Sequence, residues 1–214
     1  MPKFREVLGE ILHGDRRLAP TIRSSIKRLR SIPPRGMRCG ANVRIERPAV
    51  IKCPWLVSVG NNTTIGYDCY IAPTQSYAGE SFSPQITIGQ NVYIGPSLFL
   101  VSIGHVKIGD QCVLSNHVYI SDAVHGIDPE AGFIMEQPLS HKGDIELGEG
   151  CFVGYRSAIL PGVKLGNHCV VGIGSIVTRS FPAYSMIAGS PARLIRSYSF
   201  QKKAWILATR DELE

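Results

Sequence analysis

Six histidines and six cysteines are the side chains of this chain best suited to proton transfer, metal binding or nucleophilic attack. The cysteines are Cys39, Cys53, Cys69, Cys112, Cys151 and Cys169, and no two form a CxxC pair. That spacing indicates neither a zinc finger nor a dithiol redox centre. His13 lies in a basic N-terminal stretch, His105 between two repeats, and His117 and His168 in the turn-like strings SNHV and GNHC. His141 lies inside a polar insertion. His125 differs, because it ends the run YISDAVH and opens that insertion, HGIDPEAGFIMEQPLSHKG. A neutral imidazole there could take the proton of a hydroxyl nucleophile. A histidine at a loop edge is by itself an ordinary surface residue, so its chemistry depends on what positions it.

The positioning element is a repeat. An aliphatic residue returns every six positions: Val59, Ile65, Ile71; Ile88, Ile94, Leu100; Ile108, Leu114, Ile120; Leu147, Val153, Ile159, Leu165, Val171, Val177. Gly often follows it, and the fifth position is small or of modest size, as at Thr63, Cys69, Cys112, Cys151, Ser157 and Cys169. Such a period predicts a solenoid, each hexad supplying one short strand and one turn. Three hexads make a coil, and coils stack as parallel strands about 4.8 Å apart. Val57, Ile86, Val106 and Ile145 extend the inward alternation. Cys69, Cys112, Cys151 and Cys169 are then packing residues where two faces meet.

Three segments fall outside the frame. Residues 1–36 read as a basic helical arm, with apolar stripes at Phe4, Val7, Leu8, Ile11 and Leu12 and at Ile22, Ile26 and Leu29. Residues 37–56 read as an irregular first coil. Two insertions, 75–84 and 125–143, interrupt the repeat, and solenoids carry function on such excursions. After residue 196 the segment 197–214 reads as a capping helix.

The net charge is +6, but residues 1–44 hold 11 of the 23 Lys and Arg against three acidic residues. That stretch is either a solvated helix or a patch drawn to an anionic membrane face. No nucleic-acid-binding motif accompanies it. No apolar run approaches the roughly 20 residues of a membrane span, and the first residues lack an apolar leader, so a cytoplasmic protein is expected. With 44% hydrophobic and 19% charged residues, the chain is globular.

The strings ISDAVHG and EQPLSHKGDIELGEGCFVGYRSAILPGVKLGNHCVVGIGSIVTRSFPAYSMIAGSPARLIR resemble the hexapeptide-repeat sugar O-acetyltransferases. These include galactoside, maltose and polysaccharide acetyltransferases. The resemblance implies an all-β solenoid, a left-handed parallel β-helix spanning residues 37–196, with the loop 126–143 inserted. It implies a homotrimer whose active site lies between subunits. It makes His125 the general base and the backbone N–H of Tyr155 the oxyanion donor. It lines acetyl-CoA, the acetyl donor, with Gly154, Tyr155, Ile173, Thr178, Arg179, Arg193 and Arg196. Asp122 or Glu136 could orient the imidazole through its other nitrogen, and a backbone carbonyl would serve as well. No metal is implied.

The expected reaction is direct acetyl transfer to a saccharide hydroxyl, on a lipid-linked or nucleotide-linked acceptor in surface polysaccharide synthesis. N-acetylation of an amino-sugar nucleotide is the alternative, and a related antibiotic acetyltransferase a third. A non-catalytic scaffold stands for a different class. A zinc carbonic anhydrase on the same solenoid lacks its close histidine pair here. The chain departs from the family pattern at Phe152, where Trp is usual, at the bulky Tyr155, and in the histidine-poor DAVHG.

Overall fold

A computed structural model describes residues 33–208. The helical arm expected over residues 1–36 lies outside them, except for 33–36, which carry no helix. The aliphatic positions of the hexads form the core. Ile65, Ile71, Ile94, Leu100, Leu114, Ile120, Val153 and Ile159 are fully buried, and so are their partners Val57 and Ile86. A slip of one residue would turn this whole column outward, so the period fixes the register.

Among the described residues, beside two two-stranded sheets, three long ones result, of six, nine and six strands. The chain visits them in strict rotation. In one coil Gln85–Ile88 joins the first sheet, Tyr93–Ile94 the second and Phe99–Ser102 the third. Within each stack the strands pair in parallel and in register, as Ile94 pairs with Leu114 and Leu114 with Val153. The segment expected to be irregular, 37–56, is also a coil. Its strands Arg38–Cys39, Arg44–Ile45 and Ala49–Ile51 pair with the next coil, and only the 3-10 turn Pro54–Leu56 departs from it.

The edges between sheets need left-handed backbone. Asn62, Asn91 and His168 take it between the first and second sheets (φ 57°, 55° and 56°), and Ser97, His117 and Arg156 between the second and third (φ 63°, 59° and 55°). Asn tolerates that region well. Its amides also chain along the edge: Asn42 Nδ2 donates to Asn62 Oδ1 at 3.0 Å and Asn62 Nδ2 to Asn91 Oδ1 at 3.3 Å. Cys112, Cys151 and Cys169 fill the slot behind this edge and donate to the carbonyls of Gly148, Gly166 and Pro182 at 3.1–3.2 Å. All six cysteines are free thiols. Burial pushes Cys69 up to about 11.

The capping helix expected over 197–214 is not formed in the described part. Ala192–Ser199 and Ala204–Leu207 are strands that continue the second sheet as an antiparallel hairpin. Aromatic pairing favours the strand. Tyr198 lies opposite Trp205 with ring centroids 5.5 Å apart, and Phe200 packs on Tyr184 at 4.8 Å. Residues 209–214 lie outside the described residues. Among the described residues no helix is long and apolar enough to cross a membrane.

The outward rows of the three faces differ. The first sheet shows Ser58, Thr87, Lys107, Glu146 and Lys164, with Lys107 Nζ 2.6 Å from Glu146 Oε1. The second shows Tyr93, Val113, Phe152 and Val170, and the third Val50, Tyr70, Phe99, Tyr119, Ala158 and Ile176. On the third face the rings stack, Tyr70 on Phe99 at 5.1 Å and Phe99 on Tyr119 at 5.6 Å.

Candidate active site

Both insertions leave the solenoid at one edge, between the third sheet and the first. The shorter is a hairpin of Ser76–Tyr77 and Glu80–Ser81. The longer is framed by the antiparallel strands Ala123–His125 and Leu139–His141. The register places His125 opposite Leu139 and Ala123 opposite His141. His125 is exposed. Its Nδ1 stands 3.5 Å from the Tyr77 hydroxyl, and the two rings meet edge to face with centroids 5.4 Å apart.

The loop beyond His125 is shaped by one buried amide. Gln137 Nε2 donates to the carbonyls of Asp128 and Gly132 at 2.8 and 3.0 Å, while its Oε1 accepts from Asp128 N at 2.9 Å. A buried, fully paired amide fixes a loop that has no core of its own. The loop then holds Ile127, Phe133 and Met135 out into solvent.

Neither carboxyl expected to orient His125 bonds to it. Asp122 is fully buried and faces the preceding coil. It accepts from Ser102 Oγ at 2.6 Å, Ile103 N at 2.8 Å and Gly104 N at 3.0 Å. The short link at Ile103 and Gly104 leaves two amides that need an acceptor, and Asp122 is the nearest one. Glu136 lies exposed in the 3-10 turn Ile134–Glu136 and makes no contact with His125. The ring touching the imidazole belongs to Tyr77, which sequence reasoning missed. Its place in an insertion was the available signal, but nothing in the spacing pairs the two insertions.

The residues expected at the thioester end lie on the other side of the third sheet. Gly154 and Tyr155 form the edge between the second and third sheets, and Ile173 takes the equivalent place one coil on. Gly154 approaches the next coil closely, since a Cβ there would come within 2.8 Å of Ile173 N and Val171 O, although Ser115 fills the same place one coil earlier. Ile173 protrudes with 76% of its surface exposed. The Tyr155 ring is flanked by His117 at 5.5 Å and by the Arg156 guanidinium at 5.1 Å. Among the described residues nothing accepts from the Tyr155 N–H, a freedom shared by Asn116 and Ile173 at the same turn position.

Arg193 and Arg196, expected to meet the phosphates of coenzyme A, lie on the strand Ala192–Ser199. A bulge between Met186 and Ile187 sets Arg193 opposite Ala188 and Arg196 opposite Met186, so both share the outward face of the second sheet. Thr178 and Arg179 instead follow the strand Ile176–Val177, on the His125 side, with Arg179 over the Phe181 ring at 5.4 Å. Gly154, Tyr155 and Ile173 thus lie on one edge of the third sheet and His125, Thr178 and Arg179 on the other, with Arg193 and Arg196 on the second sheet. From Asn116 to Ser121 the chain takes about five steps of about 3.3 Å, so the edges stand roughly 15 Å apart.

His141 Nε2 lies 3.1 Å from Asp144 Oδ1, and His105 Nδ1 lies 3.7 Å from Asp144 Oδ2. Through Asp144 these contacts tie the return strand of the long insertion to the preceding coil's His105. Among the described residues no group of three or more His, Cys, Asp or Glu is arranged to hold a metal ion.

Comparison with known proteins adds to this geometry. The family model "Hexapeptide repeat of succinyl-transferase" matches residues 85–122 and 145–179. The chain is 28% identical over 177 residues to the putative lipopolysaccharide biosynthesis O-acetyl transferase WbbJ of Escherichia coli, covering 77% of this chain and 84% of that one. It is 30% identical over 140 residues to the galactoside O-acetyltransferase of the same organism, covering 65% and 66%. Among solved structures it shares its fold with AntD, an N-acyltransferase from Bacillus cereus crystallised with a dTDP-amino sugar and coenzyme A. There the TM-score is 0.63 at 22% identity, over 84% of this chain and 90% of that one.

Proposed function

This chain belongs to the hexapeptide-repeat acyltransferases, and from that premise we propose that it acetylates a saccharide hydroxyl with His125 as general base. It is an acyltransferase, and acetyl-CoA is its donor. The observation that carries the reading is where the family pattern stops and resumes. The matched residues, 85–122 and 145–179, close on both sides of the excursion that bears His125.

The chemistry needs only two protein groups beyond binding. His125 takes the proton of the acceptor hydroxyl as its oxygen attacks the thioester carbon. The negative charge passes to the carbonyl oxygen, where the Tyr155 N–H donates a hydrogen bond. Collapse expels the thiolate of coenzyme A, and the imidazolium returns the proton to it. An ester and a free thiol leave. Ile173 runs along the pantetheine arm, Gly154 lets it approach, Arg193 and Arg196 meet its phosphates, and Thr178 and Arg179 flank it from the other edge.

Two sets of residues roughly 15 Å apart cannot serve one thioester within one chain. A homotrimer joins them, the His125 edge of one copy meeting the Tyr155 edge of the next. The apolar outward rows of the second and third sheets support that assembly, since monomers rarely expose such continuous apolar surface. The left-handed winding belongs to the same reading. So does the division of the chain into a basic arm (1–36), a catalytic solenoid (37–196) with its inserted loop (126–143), and a cap. The basic residues 1–44 suit a cytoplasmic enzyme held at an anionic membrane face, where a lipid-linked acceptor would be met.

A thermal-shift titration with acetyl-CoA comes first, because a ligand at 100 times its Kd raises stability by about 2.7 kcal/mol. Sugars and amino-sugar nucleotides are then offered as acceptors. Hydroxylamine cleaves the product if it is an ester and spares it if it is the amide of the N-acetyl alternative. His125→Ala is expected to lose at least about 10²-fold in turnover while keeping the acetyl-CoA shift. Normal turnover in that variant removes His125 from the mechanism.

A further inference from the structure

We propose that Tyr77 is the positioning residue that selects the tautomer of His125. The proposal rests on the reading of His125 as the base and assigns what holds it. Tyr77 comes from the shorter insertion and His125 from the longer, with one coil between them. The Tyr77 hydroxyl oxygen lies 3.2 Å from the Met135 carbonyl oxygen, 3.5 Å from His125 Nδ1 and 3.6 Å from Met135 Sδ.

The hydrogen bonds can be assigned by counting protons. A phenol has one proton to give and lone pairs to receive, whereas a carbonyl oxygen only receives. Among the described residues Met135 O accepts from no other group. The Tyr77 proton therefore goes to Met135 O, the shorter contact, and the phenolic oxygen is left as an acceptor facing His125. A neutral imidazole carries one N–H, and an acceptor beside Nδ1 draws it there. Nε2 keeps its lone pair and is the nitrogen that can take a substrate proton. The reverse assignment gives up the shorter contact, leaves Met135 O to water and puts the proton on Nε2, where it blocks the base.

The surroundings fix both ends of this bond. Gln137 sets the loop that carries Met135, and the edge-to-face contact keeps the imidazole turned toward the phenol. When His125 becomes protonated, Nδ1–H still donates to Tyr77, now as a charge-assisted bond of greater strength. Tyr77 thus does for this histidine what a carboxylate or carbonyl does in other bases, without adding a negative charge next to an incoming anionic acceptor.

The test is nitrogen-15 NMR of the histidine rings in the full-length protein, with His125 assigned by its absence from His125→Ala. The expected spectrum has the neutral ring protonated at Nδ1, and Tyr77→Phe moves the proton population toward Nε2. The same variant should lose at least about tenfold in kcat with the KM for acetyl-CoA unchanged, because the ring contact stays and only the oxygen goes. A wild-type ring protonated at Nε2 overturns the proposal without any variant. So does a Tyr77→Phe protein with unchanged tautomer and kcat while His125→Ala is inactive. If His125→Ala retains turnover, the base reading fails, and the wild-type spectrum still decides whether Tyr77 sets the tautomer.

Discussion

The two edges of the third sheet are built on opposite plans. From the second coil on, the edge shared with the second sheet repeats one turn, with left-handed residues at Asp68, Ser97, His117, Arg156 and Gly174. These turns bring the next coil close, so that a Cβ on Gly66, Gly95 or Gly154 would come within 3 Å of it, and only Ser115 among the equivalent residues of these turns carries one. The edge shared with the first sheet ranges from the tight link at Ile103 and Gly104 to the long hairpin carrying His125. A repeated turn can present a backbone N–H at a fixed place, which suits a donor that never changes. A variable edge can carry new side chains, which suits an acceptor that does. In the proposed function the regular edge takes the thioester and the irregular one the acceptor.

The sharpest way to break that division is to remove one N–H from the regular edge. Pro96 occupies in its coil the turn position that Tyr155 holds two coils later, as the pairing of Ile94 with Leu114 and of Leu114 with Val153 requires. The turn therefore accommodates proline. Tyr155→Pro should fold and lose about 10²–10³ in kcat, the range for one oxyanion donor. Tyr155→Ala, which keeps the N–H, should stay within a fewfold of wild type. Equal activities for the two variants, measured with saturating acetyl-CoA, would take the regular edge out of the chemistry.

A smaller effect tests whether the slots behind the edges are packing alone. Cys69 is buried, and burial raises its thiol from 9.0 to about 11. Above 9.0 the unfolded chain binds fewer protons at this site than the folded one, so stability falls as pH rises toward 11 and is fully present below 9.0. Cys69→Ser should lessen that alkaline loss by on the order of 1 kcal/mol near about pH 10, read from thermal melts, with activity at neutral pH unchanged. An unaltered alkaline slope would mean that the thiol does not carry it.

The sequence shows the regular half of the molecule far better than the irregular half. A period of six places Ile94, Leu114 and Val153 in the core and His117 and His168 at the edges, because each coil meets the same neighbours above and below. No such constraint governs the insertions. Tyr77 and His125 are 48 residues apart and meet only because one coil separates their points of departure. Asp122, three residues before His125, reads as one candidate to orient it, but the amides of Ile103 and Gly104 claim it. The C-terminal hairpin was misread for a related reason. Its apolar residues Phe200, Trp205 and Ile206 fit a helical stripe as well as an aromatic ladder, and only pairing with Tyr184 and Tyr198 decides between them.

Subunit complementation tests most directly whether two opposite edges, from two copies, make one site. His125→Ala and Tyr155→Pro subunits should each be nearly inactive alone. Unfolded together in equal amounts and refolded, they should regain about a quarter of wild-type activity, because in random trimers one interface in about four joins an intact His125 edge to an intact Tyr155 edge. A co-assembled mixture no more active than its parents would contradict the account and return the whole site to a single chain.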